Sequence, residues 1–148
     1  MLKLNLKTEP YWIDLPGTVR VKVKPVNTAI MSAAQASAST NYNKMVDRGE
    51  TDVTNDALRK GLSESLLVNA LGKFAILEWE NVFKANGDAP AEVNDINIEQ
   101  LLDIWVIADE FLKTYISQMS LIVTEGNVFA PAVNGTLEAV PATVTSAK

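Results

Sequence analysis

The sequence predicts an α+β fold that is mostly α, with an N-terminal β-hairpin packed on about three helices. Between Tyr11 and Pro25, apolar residues alternate with charged ones, which is the period of a strand with one buried face. From about Asn27 onward, apolar residues recur at the 3.6-residue spacing of helices. The length of 148 residues suits one domain. We therefore predict a single domain over residues 1–127 and a low-complexity tail over residues 128–148 that is mobile or becomes ordered on a partner.

The hairpin is expected at residues 10–24. Pro16 and Gly17 are typical turn residues, and residues 11–13 supply the strand before them. The strand after the turn has an apolar face and a basic face, formed respectively by Val19, Val21 and Val23 and by Arg20, Lys22 and Lys24. The hairpin would bury its valine face on the helices. Its basic face and a free strand edge would then be available to a protein partner.

Two helices are expected after the hairpin. Asn27 or Thr28 can cap the first, which is rich in Ala and Ser and ends near residues 47–49. The second runs from about Asn55 to Phe83, and apolar residues cover more than one of its faces.

A third helix is expected after the loop at residues 84–95. Asn97 and Gln100 stand in the relation of N-cap and N3 residues. The helix would then continue for about 26 residues, or about 39 Å at 1.5 Å per residue.

The composition argues against an enzyme. The chain has no histidine and no cysteine, which removes the commonest general base, the commonest metal ligand and every thiol or Ser/His/Asp nucleophile. Asp88, Glu92 and Asp95 share one loop, but their spacing does not match an EF-hand. We therefore expect no catalytic residue, no cofactor and no metal. A carboxylate-based hydrolase is the enzymatic alternative, in which Asp109 would be a functional carboxylate and not a core-edge residue paired with Lys113.

Charge is unevenly distributed along the chain. Residues 1–50 hold seven Lys and Arg against four Asp and Glu, whereas residues 51–148 hold six against fourteen. Alternating basic residues on one strand are more typical of a solvated face than of a nucleic-acid site. No apolar run is long enough for a signal peptide or a membrane span. We expect a cytoplasmic protein that binds neither nucleic acid nor membrane.

The third helix carries a broad apolar stripe, on which a protein partner is expected. On a wheel of 100° per residue, one part of the stripe faces the domain's own core and comprises Leu101, Trp105, Ala108, Leu112, Ile116 and Met119. The remainder extends toward solvent and comprises Ile104, Ile107 and Phe111. Either another element of the same chain covers these three residues, or they form a groove or homo-oligomer seam.

The order of these motifs resembles that of a known family. It begins with YWIDL and TVRVKVKPVNTAIMSAA, continues with ILEWENV and an acidic loop with proline, and ends with NIEQLLDI, ADEFLKTYI and EGN. Over residues 11–127, this order resembles the tail assembly chaperones and tail-region proteins of long-tailed phages and prophages. The resemblance implies a non-enzymatic protein of the host cytoplasm that binds the tape measure protein, or another tail protein, while the tail tube polymerises around it. The alternative is a structural head–tail connector or tail completion protein of the virion.

Overall fold

The structure, a computed structural model, describes residues 7–117, and the predicted tail at residues 128–148 lies outside this range. Residues Lys7–Tyr115 form a compact unit. The fold is α+β and mostly α, as predicted. In chain order, the elements are β1 (Tyr11–Asp14), a 3₁₀ turn (Pro16–Thr18), β2 (Arg20–Val23), α1 (Thr28–Asp47), α2 (Asp56–Ala75), β3 (Ile76–Glu80), α3 (Asp95–Leu102) and α4 (Trp105–Tyr115).

The three strands form an antiparallel sheet in the order β1–β2–β3. β1 and β2 are the predicted hairpin. β3 corrects the prediction that the second helix continues to Phe83, because the chain leaves α2 at Ala75 and pairs with β2. Within this pair, Val21 lies opposite Trp79. β2 is therefore the central strand, and the edge strand of the hairpin is β1.

The loop between β1 and β2 depends on two residues in the left-handed region of backbone conformation. Gly17 has a φ of 77°, which glycine adopts without a Cβ clash. The Leu15 backbone N–H donates to the Val19 carbonyl at 2.8 Å and closes the loop. Thr18 has a φ of 62°, and its carbonyl accepts a hydrogen bond from Asn81 Nδ2 at 2.8 Å. This last bond ties the loop to the residue that follows β3.

Asparagine caps the N-termini of α1, α2 and α3. The side-chain oxygens of Asn27, Asn55 and Asn94 accept hydrogen bonds from the backbone N–H three residues later, at 2.8, 3.0 and 2.9 Å. The expectation for Asn27 is thereby confirmed. Asn94, and not Asn97, caps α3, so the helix begins earlier than predicted and Asn97 supplies the N–H that the cap accepts.

The predicted single third helix is in fact two helices. α3 ends at Leu102 and α4 begins at Trp105, with Asp103 and Ile104 between them. The break changes the phase of the apolar stripe. The buried residues are Ile98, Leu101 and Leu102 in α3, and Ile107, Phe111 and Tyr115 in α4. One continuous helical wheel cannot describe both faces.

α4 closes the core against the sheet. It contacts β1 and the 3₁₀ turn. The Tyr115 hydroxyl donates a hydrogen bond to the Lys24 carbonyl at 2.8 Å, at the end of β2. The rings of Phe111 and Tyr115 stack with their centroids 5.3 Å apart. Packing of these large rings fixes the rotation of α4 about its axis and so decides which of its residues remain outside.

Candidate functional site

Two of the three predicted partner residues on the last helix are core residues. Ile107 is 5% exposed and Phe111 is 0% exposed, whereas Ile104 is 49% exposed. For Ile107 and Phe111 the structure supports the alternative that other elements of the same chain cover them, since α4 packs on β1 and the 3₁₀ turn. Their placement toward solvent is wrong, because it assumed one unbroken helix. The prediction that Trp105 faces the core is wrong for the same reason, since its side chain is 69% exposed. The break at Asp103 changes the rotation of α4, so that Ile107 and Phe111 face the core and Trp105 faces solvent.

Arg20, one of the three basic residues expected at a partner surface, is engaged inside the sheet. Its Nε lies 2.8 Å from Asp14 Oδ1 on β1, and its Nη1 lies 3.0 Å from Glu80 Oε2 on β3. The hydrogen bond to Asp14, together with the contacts to Glu80, raises the pKa of Arg20. These two carboxylates already balance the charge of the guanidinium, so Arg20 contributes no free positive charge to a partner surface.

Of the other two basic residues, Lys22 forms an ion pair with β3 and Lys24 forms none within the described part of the chain. Lys22 Nζ lies 3.0 Å from Glu78 Oε2 on β3. The exposed side chain of Lys24 has no ion-pair partner among residues 7–117. The basic face therefore aligns β3 on β2 through opposite charges, and it does not form a continuous cationic surface.

A groove of about 430 Å³ lies between α2 and α4. Each of the two helices lines it with residues at positions i, i+3, i+4 and i+7, which lie on one face of a helix. The lining residues are Gly61, Glu64, Ser65 and Val68 from α2, Leu102 and Asp103 at the end of α3, and Trp105, Ala108, Asp109 and Leu112 from α4. A groove between two helical faces has the geometry that receives a third helix.

The groove combines an apolar floor with an acidic rim. Val68 and Leu102 are buried, and Trp105 stands exposed beside them. The exposed carboxylates of Glu64 and Asp103 have no ion-pair partner among residues 7–117. The residues named above as lining the groove include three acids and no base, so its charge is negative.

Asp109, the carboxylate singled out as a catalytic alternative, has a structural partner. Its Oδ2 lies 2.8 Å from Lys113 Nζ, one turn later in α4. The hydrogen bond to Asp109 raises the pKa of Lys113. The predicted pairing with Lys113 is confirmed, and the side chain is partly exposed at the groove wall.

Two other hollows lie elsewhere on the described part of the chain, and neither has an acidic rim facing an exposed Trp. One lies beside β3 and is lined by Leu77, Phe83 and Val93, with the Trp79 indole held by the Ala91 carbonyl at 2.8 Å. The other lies along α1 and α2 and is largely polar. It includes Asn69, whose buried Oδ1 has no hydrogen-bond partner within the part of the chain that the structure describes.

The described residues offer neither a group of metal ligands nor a membrane-spanning helix. Among residues 7–117, no three His, Cys, Asp or Glu side chains are grouped so that they could hold a metal ion. Within the same range, no helix has both the length and the apolar character needed to cross a bilayer.

Two signals in the sequence could have located the exposed face of α4 and the strand β3. Ile107, Phe111 and Tyr115 recur every four residues, which marks one buried face of a short helix. Trp105 lies off that face. In addition, Glu78 and Glu80 repeat at the spacing of Arg20 and Lys22, which is typical of a neighbouring strand with complementary charge.

Comparisons of the chain with models of protein families, with curated proteins and with solved structures give no match.

Proposed function

We propose that the chain is a non-enzymatic tail assembly chaperone, which acts in the host cytoplasm and binds the tape measure protein of a long-tailed phage or prophage. The resemblance in motif order over residues 11–127 supplies the identity of the partner. The structure supplies a surface to which an elongated helical protein could bind.

The observation that carries the proposal is the groove between α2 and α4 with Trp105 on its rim. A Trp side chain buries about 150–250 Å² of mostly apolar surface when covered, and Trp is enriched among residues that dominate binding energy. Trp105 is 69% exposed, so most of this surface contributes nothing to the stability of its own domain. A protein partner that covers it would gain that contribution.

The chemistry of the chain supports binding over catalysis. There is no histidine or cysteine, and the carboxylate of Asp109 is paired with Lys113. A binding protein needs an exposed face and no activated nucleophile or general base.

Co-expression with the tape measure protein tests the proposal. The full chain should co-purify with the tape measure protein and keep it in the supernatant, and it should be absent from finished particles. A Trp105→Ala variant should lose most of this capture. The matched control is Ile96→Ala, because Ile96 is 70% exposed on α3 but does not line the groove.

Two results would contradict the proposal. One is that the intact chain leaves the tape measure protein insoluble and unbound. The other is that the chain remains in purified virions at a fixed stoichiometry, which would identify it as a connector or tail completion protein.

A further inference from the structure

We infer that the groove between α2 and α4 binds a basic amphipathic helix, one that presents an apolar face to Trp105, Ala108 and Leu112 and places Lys or Arg side chains against the acidic rim. The inference rests on the proposed function and extends it from the identity of the partner to the kind of segment that is bound.

The size of the groove sets the length of the bound segment. Its wall on α2 runs from Gly61 to Val68 and its wall on α4 runs from Trp105 to Leu112. Seven residue steps at 1.5 Å each give about 10 Å, so roughly two helical turns of a partner would be in contact. Two turns present three or four apolar side chains on one face.

Charge complementarity selects a cationic occupant. Glu64 and Asp103 lack ion-pair partners within residues 7–117, while Asp109 has only Lys113. An acidic helix would place like charges against this rim in a partly dehydrated groove, which is unfavourable. A helix with Lys or Arg beside its apolar stripe would pair with the rim carboxylates and would also associate faster at low salt.

Gly61 is an independent observation that favours close helix approach. It lies in the interior of α2, where glycine is less favourable than alanine. A Cβ at this position would meet nothing within 4 Å, so the domain's own packing does not require glycine there. The position lies in the groove wall, where a missing side chain allows a second backbone to approach.

The chain's own remaining sequence and a second copy are less suitable occupants. Residues 118–148 contain two Glu and one Lys, so they offer almost no positive charge to the rim, and residues 1–6 contain one Lys but fall short of the roughly seven residues in two helical turns. The whole chain has a formal net charge of −5, which disfavours the approach of a second copy to an acidic groove.

The test uses the full chain and two synthetic helical peptides of about 14 residues, or about four turns. Both peptides carry leucines at i, i+3, i+4 and i+7, and they differ only in having Lys or Glu at the remaining positions. By calorimetry at low salt, the Lys peptide should bind at least about tenfold more tightly than the Glu peptide. This preference should shrink as salt rises toward about 0.5 M.

Variants then place the binding in the groove. Trp105→Ala should weaken binding of the Lys peptide about tenfold or more, and Glu64→Gln with Asp103→Asn should weaken it several-fold and reduce its salt dependence. Gly61→Ala should weaken binding without loss of fold. The controls are Ile96→Ala for exposed apolar surface and Asp88→Asn with Glu92→Gln for negative charge outside the groove.

The outcomes separate this inference from the proposed function. If the chain captures the tape measure protein but the groove variants capture it equally well, the function stands and the groove assignment is overturned. If the intact chain does not capture the tape measure protein, the function fails, and the peptide pair alone decides the inference. Equal binding of the Lys and Glu peptides overturns it.

Two further outcomes would place either a second copy of the chain or a segment of the same chain in the groove. Each of them would overturn the inference. Light scattering that shows an oligomer for the intact chain and a monomer for Trp105→Ala would place a second copy in the groove. Hydroxyl-radical footprinting that finds Trp105 protected in the monomer before any peptide is added would place the chain's own segment there.

Discussion

At the scale of single residues, Tyr115 joins the last described helix to the sheet. Its ring is buried and stacked on Phe111, and its hydroxyl donates to the Lys24 carbonyl at 2.8 Å. Burial raises the pKa of Tyr115, and the nearby Tyr11 adds to the shift. Burial favours the neutral phenol over the phenolate, so the packing of this residue depends on pH.

Tyr115 should make the domain sensitive to alkaline pH. An unfolded tyrosine ionises near its ordinary value of 10.0, while the folded one still holds its proton. The unfolded state therefore binds fewer protons above this pH, and the free energy of unfolding should fall as pH rises further. Tyr115→Phe should reduce this fall and should lower stability at neutral pH by about 0.5–1.5 kcal/mol, because the hydrogen bond to the Lys24 carbonyl is lost.

Denaturant titrations at pH 7 and at two values above 10 measure both effects. The comparison is made with the unsubstituted chain, so that the titration of lysines is common to both. An alkaline slope that is the same in the two proteins would show that Tyr115 is not the source.

Ile107 and Ile104 provide a second test at the residue scale, since the break between α3 and α4 assigns them to opposite environments. Ile107→Asp should lower the free energy of unfolding by several kcal/mol, because it places a charge in the core. Ile104→Asp should change it by less than about 1 kcal/mol, since half of this side chain is already in water. Thermal unfolding followed by circular dichroism would compare them. Similar melting temperatures would mean that the phase assigned to α4 is incorrect.

At the scale of elements, α2 contains two glycines with opposite roles. Gly72 lies where α2 crosses α3, and a Cβ there would overlap the Leu102 side chain and lie 3.1 Å from Ile98 Cγ2. Gly61 lies eleven residues earlier in the groove wall, where a Cβ would meet nothing within 4 Å. The same substitution is therefore expected to have opposite effects on stability at the two positions.

Gly61→Ala should raise the free energy of unfolding by up to about 1 kcal/mol, which is the difference in helix propensity between the two residues. Gly72→Ala has the same propensity gain but must displace buried side chains, which costs about 1–3 kcal/mol. We expect a net loss of stability for this variant. Urea titration of both variants would measure the difference. A stabilised Gly72→Ala protein would indicate that α2 and α3 are farther apart than the structure shows.

Most elements could be predicted from sequence, and the errors have physical causes. The hairpin and the caps of α1 and α2 were predictable because turn residues, strand alternation and Asn caps are local signals. No glycine or proline directly follows the end of α2 at Ala75 or stands in the break at Asp103 and Ile104. The break between α3 and α4 follows from the need of Ile107, Phe111 and Tyr115 to reach the core, which is a tertiary requirement.

The candidate site was less predictable than the fold. The wheel places Ile107 and Phe111 outside the core arc because it carries the phase of α3 across Asp103, and so it leaves open whether the same chain or a partner covers them. Trp105 was assigned to the core for the same reason. A two-residue break that the prediction omits is enough to interchange the buried and exposed faces of the following helix, since each residue turns a helix by about 100°.

At the scale of the whole molecule, oppositely charged residues connect parts of the chain that are distant in sequence. Lys22 on β2 pairs with Glu78 on β3, and Lys73 on α2 pairs with Glu99 on α3 at 2.7 Å. The Lys22–Glu78 ion pair joins the N-terminal part of the chain, which has more basic than acidic residues, to the later part, which has more acidic than basic residues. Each such exposed pair contributes little to stability but helps to select the correct strand partner.

A double-mutant cycle on Lys22 and Glu78 should give a coupling free energy of about 0.2–1 kcal/mol at low salt, because the pair is solvent-exposed. The coupling should largely vanish in about 1 M salt, where the screening length is about 3 Å. Lys22→Glu alone should be destabilising, and adding Glu78→Lys should restore most of the loss. Coupling that is absent at low salt would mean that the two strands are not held in this register.

The central position of β2 has a consequence for the order of events during synthesis. Val23 pairs with Ile76, and the whole of α1 and α2 lies between them. At translation rates of about 5–20 residues per second, the β1–β2 hairpin would leave the ribosome about 3–10 s before β3. During this interval, β2 would present an unpaired row of N–H and C=O groups to any extended segment nearby. Slow decoding between residues 23 and 76 should therefore favour intermolecular strand pairing and lower the yield of folded protein.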